Sequence, residues 1–456
     1  MIVMKFGGTS VEDAPSIRRV TDIVRKDVHR SPVVVVSAMA GVTNELLRIA
    51  ALAAEGKTAA GGRAVTKLEE RHDGVAKELL GPTAAPVVAS IRTLVDDLRR
   101  LVDGVAVLGE ASPRSLDAIA SFGERLSSLI IHEYFRRMKL ESTLIDARSF
   151  MITDGQHTAA LPDARRTRTA LKRVLVPALD KGRVVVTQGF MAATRTGVTT
   201  TLGRGGSDLS AALIGALLKA REIQIWTDVD GILTADPSIV REARNIEAMS
   251  FREAAELAYF GARVLHPETI LPAVSSNIPV IVKNSRRPDV AGTVITASAT
   301  DIPGAVKSVA YKEGITLLTI VSTRMFLAHG FLERVFDVFE HHRTVVHAVA
   351  SSDVSITAAI NDIGRLKAIT AELRSFASVT VERNKAIVCV VGEGLRNTPG
   401  IAARILGAAG EVTVNMISQG ASEINLGFVL DERQIAPVVR RLHAAFFERK
   451  ADKEAA

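Results

Sequence analysis

At 456 residues, with 47% apolar and 23% charged side chains, the chain has the composition of a globular protein and the length of two or three domains. A single cysteine, Cys389, excludes an internal disulfide, and no apolar run is long enough for a membrane span or a leader, so the reading is cytoplasmic with no membrane partner. The net charge of +7 is interleaved with acids and accompanied by one tryptophan and three tyrosines, which disfavours nucleic acid and suits small anionic substrates.

In chain order, the first two thirds alternate β-branched runs with amphipathic stretches. Strands are predicted at 2–6, 33–37, 142–146, 184–188, 223–227 and 280–283, with helices over 17–28, 45–54, 64–80, 116–138 and 164–175. That alternation calls for a mainly parallel sheet covered on both faces, whose ligands sit at the carboxyl ends of strands. The first strand runs into MKFGGTS (4–10). Lys5 is a point charge and Gly7-Gly8 a tight turn, and with the hydroxyls of Thr9 and Ser10 they make a phosphate cradle. SAMAGVTN (37–44) and SFGERLS (121–127) follow, with Ser37, Ala38 and Thr43 in the first. Glu124, in the second, reads from the residues alone as a capping or exposed charge on an apolar helix.

TLGRGGSD (201–208) is the richest stretch. Its glycines let backbone N–H groups close on an anion, Arg204 can grip a carboxylate or phosphate with two parallel bonds, and Asp208 can orient a neighbouring cation before the helix expected at 209–218. The plainer reading is a turn with Ser207 or Asp208 as helix cap. IWTDVDGILTADP (225–237) ends another strand with Thr227, Asp228 and Asp230, and VKNS (282–285) adds Lys283. Known fingerprints fail here. Gly56-Lys57-Thr58 lacks the leading glycine of a P-loop, Gly203-x-Gly205 lacks the third glycine of a dinucleotide site, a calcium loop would need an acid at Ile239, and zinc spacings are absent.

The mixed segment ITASATDIPGAV (295–306) reads as a boundary. Beyond it, a gapless shift of 70 residues lays Gly330 on Gly400, Phe331 on Ile401, Val335 on Ile405 and Ser352 on Ser422. A small α+β module is therefore present twice.

KFGGTS, SAMAGVTN, SFGERLS, TLGRGGSD, WTDVDGILTADP, FGARVLHPETI and VKN stand in the order seen in aspartate kinases, and the doubled module resembles their paired ACT domains. The resemblance spans nearly the whole chain. It implies an α/β amino acid kinase fold, a three-layer α/β/α sandwich with a mainly parallel sheet, over 1–296. Two α+β ferredoxin-like ACT domains would follow over 305–378 and 379–456. The implied enzyme is a monofunctional aspartate kinase that moves the γ-phosphoryl group of Mg²⁺-ATP to the β-carboxylate of L-aspartate. Feedback control by lysine, threonine, both or neither stays open, and the chain would form a dimer or higher homo-oligomer through its regulatory modules.

Residue by residue, the resemblance makes Lys5 and Asp208 catalytic, with Asp208 organising the lysine. Arg204 would hold the substrate carboxylate and Glu124 its ammonium, beside Ser37, Ala38, Thr43, Gly205, Gly206 and Ser207. Lys5, Gly7, Gly8, Thr9, Ser10, Thr227, Asp228, Asp230, Leu233, Lys283 and Asn284 match the nucleotide site. Leu233 and Ser238 depart from the tyrosine and arginine frequent there. Met325, Gly330, Phe331, Leu332, Val346, His347, Ser352 and Asp353 match the effector site, with His347 where many lysine-sensitive relatives carry aspartate. The alternatives are a family member acting on another carboxylate, carbamate or a nucleotide, and a catalytically silent amino-acid sensor.

Overall fold

The computed structural model describes residues 1–260, 267–297, 305–322, 330–420 and 422–448. By contact, the chain forms two units. One comprises 1–232, 247–251 and 264–299, and the other 233–246, 252–263 and 300–456.

The first unit is built on eleven strands: β1 (Ile2–Phe6), β2 (Pro32–Val36), β3 (Ser142–Ile145), β4 (Ile152–Thr153), β5 (Val184–Gln188), β6 (Met191–Thr194), β7 (Thr199–Thr201), β8 (Ile223–Thr227), β9 (Ala248–Ser250), β10 (Val280–Asn284) and β11 (Thr293–Thr296). Eight of them form one sheet in the order β3-β5-β2-β1-β8-β10-β11-β9, parallel except where β11 runs against β10. Every residue of β1, β2 and β5 is buried, as a strand covered on both faces requires. The helix Ala14–Lys26 shows how the covering layers form. Asp13 caps it by accepting from Ser16 N–H at 2.8 Å, and Ile17, Val20, Ile23 and Val24 point one apolar stripe inward. β4, β6 and β7 make a separate three-stranded sheet, too short in each strand to show a period in the sequence.

Two predicted helices differ in detail. The stretch expected as one helix over 116–138 is two, Pro113–Ala120 and Phe122–Arg137, because Ser121 turns its hydroxyl back to Ala118 O at 2.7 Å and the ladder breaks there. The helix expected from Leu209 begins at Gly206 (Gly206–Leu218), so Asp208 lies in its first turn. Its cap is Gly205, at φ +70°, with no side-chain cap bond.

The second unit carries a six-stranded antiparallel sheet of β12 (Ser308–Val321), β13 (Val346–Ser351), β14 (Ser355–Ile360), β15 (Ser378–Val391), β16 (Met416–Gln419) and β17 (Asn425–Asp431), ordered β13-β14-β12-β15-β17-β16. The repeat is visible in its caps. Gly330 (φ +85°) and Gly400 (φ +77°) precede the helices Phe331–His341 and Ile401–Ala409. The modules are not consecutive, however. β12 and β15 each run 14 residues and pair along their length, with register shifts around Ile315. Leu318, Ile320 and Val379 pack with the first pair of helices, whereas Val309, Val388 and Val390 pack with the second. Each long strand therefore serves both modules, and the expected division at 378/379 falls at the start of a shared strand. The segment 233–246 joins the second module's core through Ala235 and Val240.

Candidate active site

β1 stands between β2 and β8, and β10 lies beyond β8, all four parallel. Their carboxyl ends therefore bring Phe6-Gly7, Val36-Ser37, Thr227-Asp228 and Lys283-Asn284 to one edge. Lys5 is largely buried there, and its Nζ lies 2.6 Å from Asp208 Oδ1. Gly7 N–H donates to Trp226 O at 3.0 Å and Ser37 N–H to Phe6 O at 3.1 Å, fixing the loops on either side. At Gly8 a Cβ would stand 3.0 Å from Ala38 O, so only glycine lets the two loops approach this closely.

On the β2 side opens a cleft of about 410 Å³, lined by Lys5, Gly8, Ser37 to Gly41, Thr43, Asn44, Glu124, Phe190 and Gly203 to Asp208. Arg204 is exposed on its wall, with no side-chain hydrogen bond or ion pair among the described residues. Glu124 corrects the reading of an exposed charge: it is 3% exposed. Its Oε1 accepts from Ala38 N–H at 3.1 Å, while Oε2 is buried with no hydrogen-bond partner among the described residues. Burial pushes its carboxyl up to about 8, against the smaller opposing effect of the Ala38 bond. A buried acid with one orphaned oxygen at the cleft wall is chemically suited to a cationic group.

On the β8 side, Asp230 is held from two directions, by Asn284 Nδ2 at 2.8 Å and by Arg287 Nη1 at 2.6 Å. Thr227 Oγ1 donates to Asp228 Oδ1 at 3.1 Å, and Lys283 Nζ lies 5.1 Å over the Trp226 ring. Ser10 does not face this space. Its hydroxyl is buried, 2.7 Å from Ser285 Oγ, and ties the β1 loop to the end of β10. Thr9 is half-buried beside it. Leu233 lies in the second unit, bridged to Asn245.

Of the effector residues, Met325 lies outside the described residues. Gly330 caps its helix, Leu332 is exposed, and the Phe331 ring meets Phe376 edge-on at 6.0 Å. Val346 is half-buried on β13. His347 Nδ1 lies 2.7 Å from Tyr259 Oη and 3.3 Å from Lys312 Nζ. Burial and the lysine lower its pKa, so it stands neutral as an acceptor. Ser352 bonds Ser355 Oγ at 2.8 Å, and Asp353 is exposed in the turn beside it.

Sequence reasoning missed Phe190 and the buried Asp117 behind the 201–208 loop. Phe190 carries a faint signal, an aromatic after a glycine at the end of a buried strand; Asp117 carries none.

A parallel sheet with glycine loops at its strand ends, a lysine–aspartate pair in the centre, and a polar cleft on one side defines a phosphotransferase for a small substrate. The profile of the Amino acid kinase family matches residues 1–284 and that of the ACT domain residues 388–446. The lysine-sensitive aspartokinase 3 of Escherichia coli K12 is 36% identical over 98% of this chain and 99% of its own. The chloroplastic aspartokinase 1 of Arabidopsis thaliana is 37% identical over 98% and 80%. Among solved structures, E. coli aspartokinase III with lysine and aspartate (T-state) superposes with a TM-score of 0.85, and the same enzyme with aspartate and ADP (R-state) with 0.81. Both are 35% identical and cover 98% of this chain and 100% of theirs. The chain belongs to the amino acid kinase family and, within it, is an aspartate kinase with ACT-domain regulation. A silent sensor is not favoured.

Proposed function

We propose that the cleft takes L-aspartate with its α-carboxylate on Arg204 and its ammonium on Glu124, and that Lys5, held by Asp208, carries the transferring phosphoryl group. The observation that carries this reading is the Lys5–Asp208 pair at 2.6 Å, with Lys5 on the strand that lies between β2, on the cleft side, and β8. The β-carboxylate of aspartate, with a pKa of about 3.9, is ionised at neutral pH, so its oxygen attacks the γ-phosphorus without a general base as the bond to ADP breaks. The obstacle is repulsion between two anions. Lys5 and the Gly8 N–H meet it by placing positive charge where the phosphoryl group moves, while the Gly7 N–H, spent on Trp226 O, only shapes the turn. Mg²⁺ would supply further positive charge against the phosphates, and the carboxylates of Asp208 and Asp230, already paired with Lys5 and with Asn284 and Arg287, would hold it through its water shell. Thr227, Asp228, Lys283 and Asn284 hold the nucleotide.

In the regulatory unit we assign an amino-acid effector, lysine first, to the helix start after Gly330 and the turn at Ser352-Asp353. The support is the likeness to a lysine-sensitive aspartokinase along nearly its whole length. Assembly as a homo-oligomer through the regulatory modules and a cytoplasmic location complete the proposal; no helix among the described residues is long and apolar enough to cross a membrane.

The test is acyl phosphate formation from Mg²⁺-ATP, trapped with hydroxylamine, with aspartate, glutamate and acetylglutamate run in parallel. Product from aspartate alone, suppressed by lysine, is the expected result. Equal product from glutamate would overturn the substrate assignment, and suppression by threonine alone would overturn the effector.

A further inference from the structure

Asp117, on the helix Pro113–Ala120, has no part in the mechanism above, yet it is a carboxylate only 1% exposed. It accepts from three residues distant in sequence. Thr201 Oγ1 donates to Oδ1 at 2.5 Å, His157 Nδ1 lies 2.7 Å from Oδ2, and Thr158 N–H reaches both oxygens at 3.0 and 3.1 Å. A carboxylate so deep is tolerated only because its lone pairs are filled, and the same bonds fix whatever donates them.

What they fix is the back of the substrate loop. Thr158 sits at φ +71°, a conformation a β-branched residue adopts only when its surroundings impose it. Its carbonyl oxygen faces Gly203, where a Cβ would stand 3.1 Å from that oxygen and 3.4 Å from Ala159 Cα. Ala160 N–H donates to Thr201 O at 2.9 Å, closing the segment onto the strand that leads into Gly203. Gly203 is left-handed at φ +75°, and the next residue is Arg204.

We propose that Asp117 is a positioning residue for aspartate: it clamps residues 157–160 against Thr201–Gly203 and so sets the direction in which Arg204 enters the cleft. This rests on the assignment of Arg204 to the substrate carboxylate.

Steady-state kinetics of Asp117→Asn, Thr201→Val, Arg204→Ala and the Asp117→Asn/Arg204→Ala double variant, with thermal melting alongside, test it. Asp117→Asn is expected to raise the aspartate KM about tenfold while kcat and the ATP KM stay within about twofold. Thr201→Val, which removes one donor, should move the same parameter less. On the Arg204→Ala background the Asp117 change should add nothing further, because the group it positions is gone. An unmoved aspartate KM in Asp117→Asn overturns the inference, as does an effect that multiplies with that of Arg204→Ala or appears equally in the ATP KM. If Asp117→Asn fails to fold, Thr201→Val and His157→Asn decide, and an aspartate KM unmoved by both overturns it. An unchanged KM in Arg204→Ala would sink the substrate assignment and this inference with it; a raised one beside an unchanged Asp117→Asn sinks the inference alone.

Discussion

Lys5 Nζ and Asp208 Oδ1 lie 2.6 Å apart although they belong to the first strand of the chain and to a helix some two hundred residues later, and each is nearly out of solvent. The pair locates the one buried cation of the cleft. Lys5→Ala is expected to lower kcat by at least about a hundredfold, the scale of losing one charge that stabilises a transition state. Asp208→Asn should lower it less, because the ammonium remains but loses its anchor. Trapped acyl phosphate measures both, and circular dichroism checks that the regulatory unit stays folded. Activity retained in Lys5→Ala would remove the lysine from the mechanism.

Glu124 couples stability to substrate binding with opposite signs. Its carboxyl is raised from 4.5 to about 8 by burial, so the folded protein holds a proton that the unfolded chain releases above 4.5. Stability from this group is full below pH 4.5 and is lost as pH rises through 8. Glu124→Gln is therefore expected to unfold at a higher temperature than the parent at pH 8, while its aspartate KM rises at least about tenfold through loss of the ammonium's partner. Binding of aspartate to the parent below pH 8 should release a proton, which calorimetry in buffers of different ionisation enthalpy detects. No proton release at pH 7 would contradict the ammonium assignment.

His72 titrates in the other direction. It is fully buried in the helix Thr58–Leu80, its Nδ1 2.7 Å from Leu68 O, and burial lowers its pKa to about 4 from 6.5. The neutral ring favours folding above 6.5, and that contribution is lost as pH falls from 6.5 through 4, by up to about 3 kcal/mol. His72→Met should flatten the pH dependence of urea unfolding in that window by close to one proton. An unchanged slope would show that His72 is not the group responsible.

Gly189 meets the substrate loop directly. A Cβ there would stand 2.7 Å from Ser207 Cβ and 2.8 Å from its Cα, and backbone at a helix start cannot swing aside. Gly189→Ala should cost about 1–3 kcal/mol in overpacking and lower kcat/KM for aspartate by displacing Ser207. Wild-type kinetics in that variant would show that the loop yields.

Much of this was legible in the sequence because it is local. Lys5 before Gly7-Gly8 follows a β-branched run, and Gly330 and Gly400 open matching helices. What escaped depends on which side of an element faces inward. Glu124 looked exposed because one acid on an apolar helix usually is; that Gly123 lets the helix press against Ala38 is a tertiary fact. Ser10 looked free until the fold set Ser285 opposite it. Asp117 meets partners 40 and more residues away, and no spacing rule reaches that far.

The two long strands of the regulatory unit have a consequence for how it can be made or cut. The second module takes an outer strand, Ser308–Lys312, from chain that precedes the first module, and the first takes Ser378–Glu382 from chain that opens the second. A fragment beginning at residue 379 would lack that partner and expose a bare edge of Ala386–Val391, an invitation to self-association. During synthesis, Ser308–Lys312 must wait for the second module before it is paired on that side.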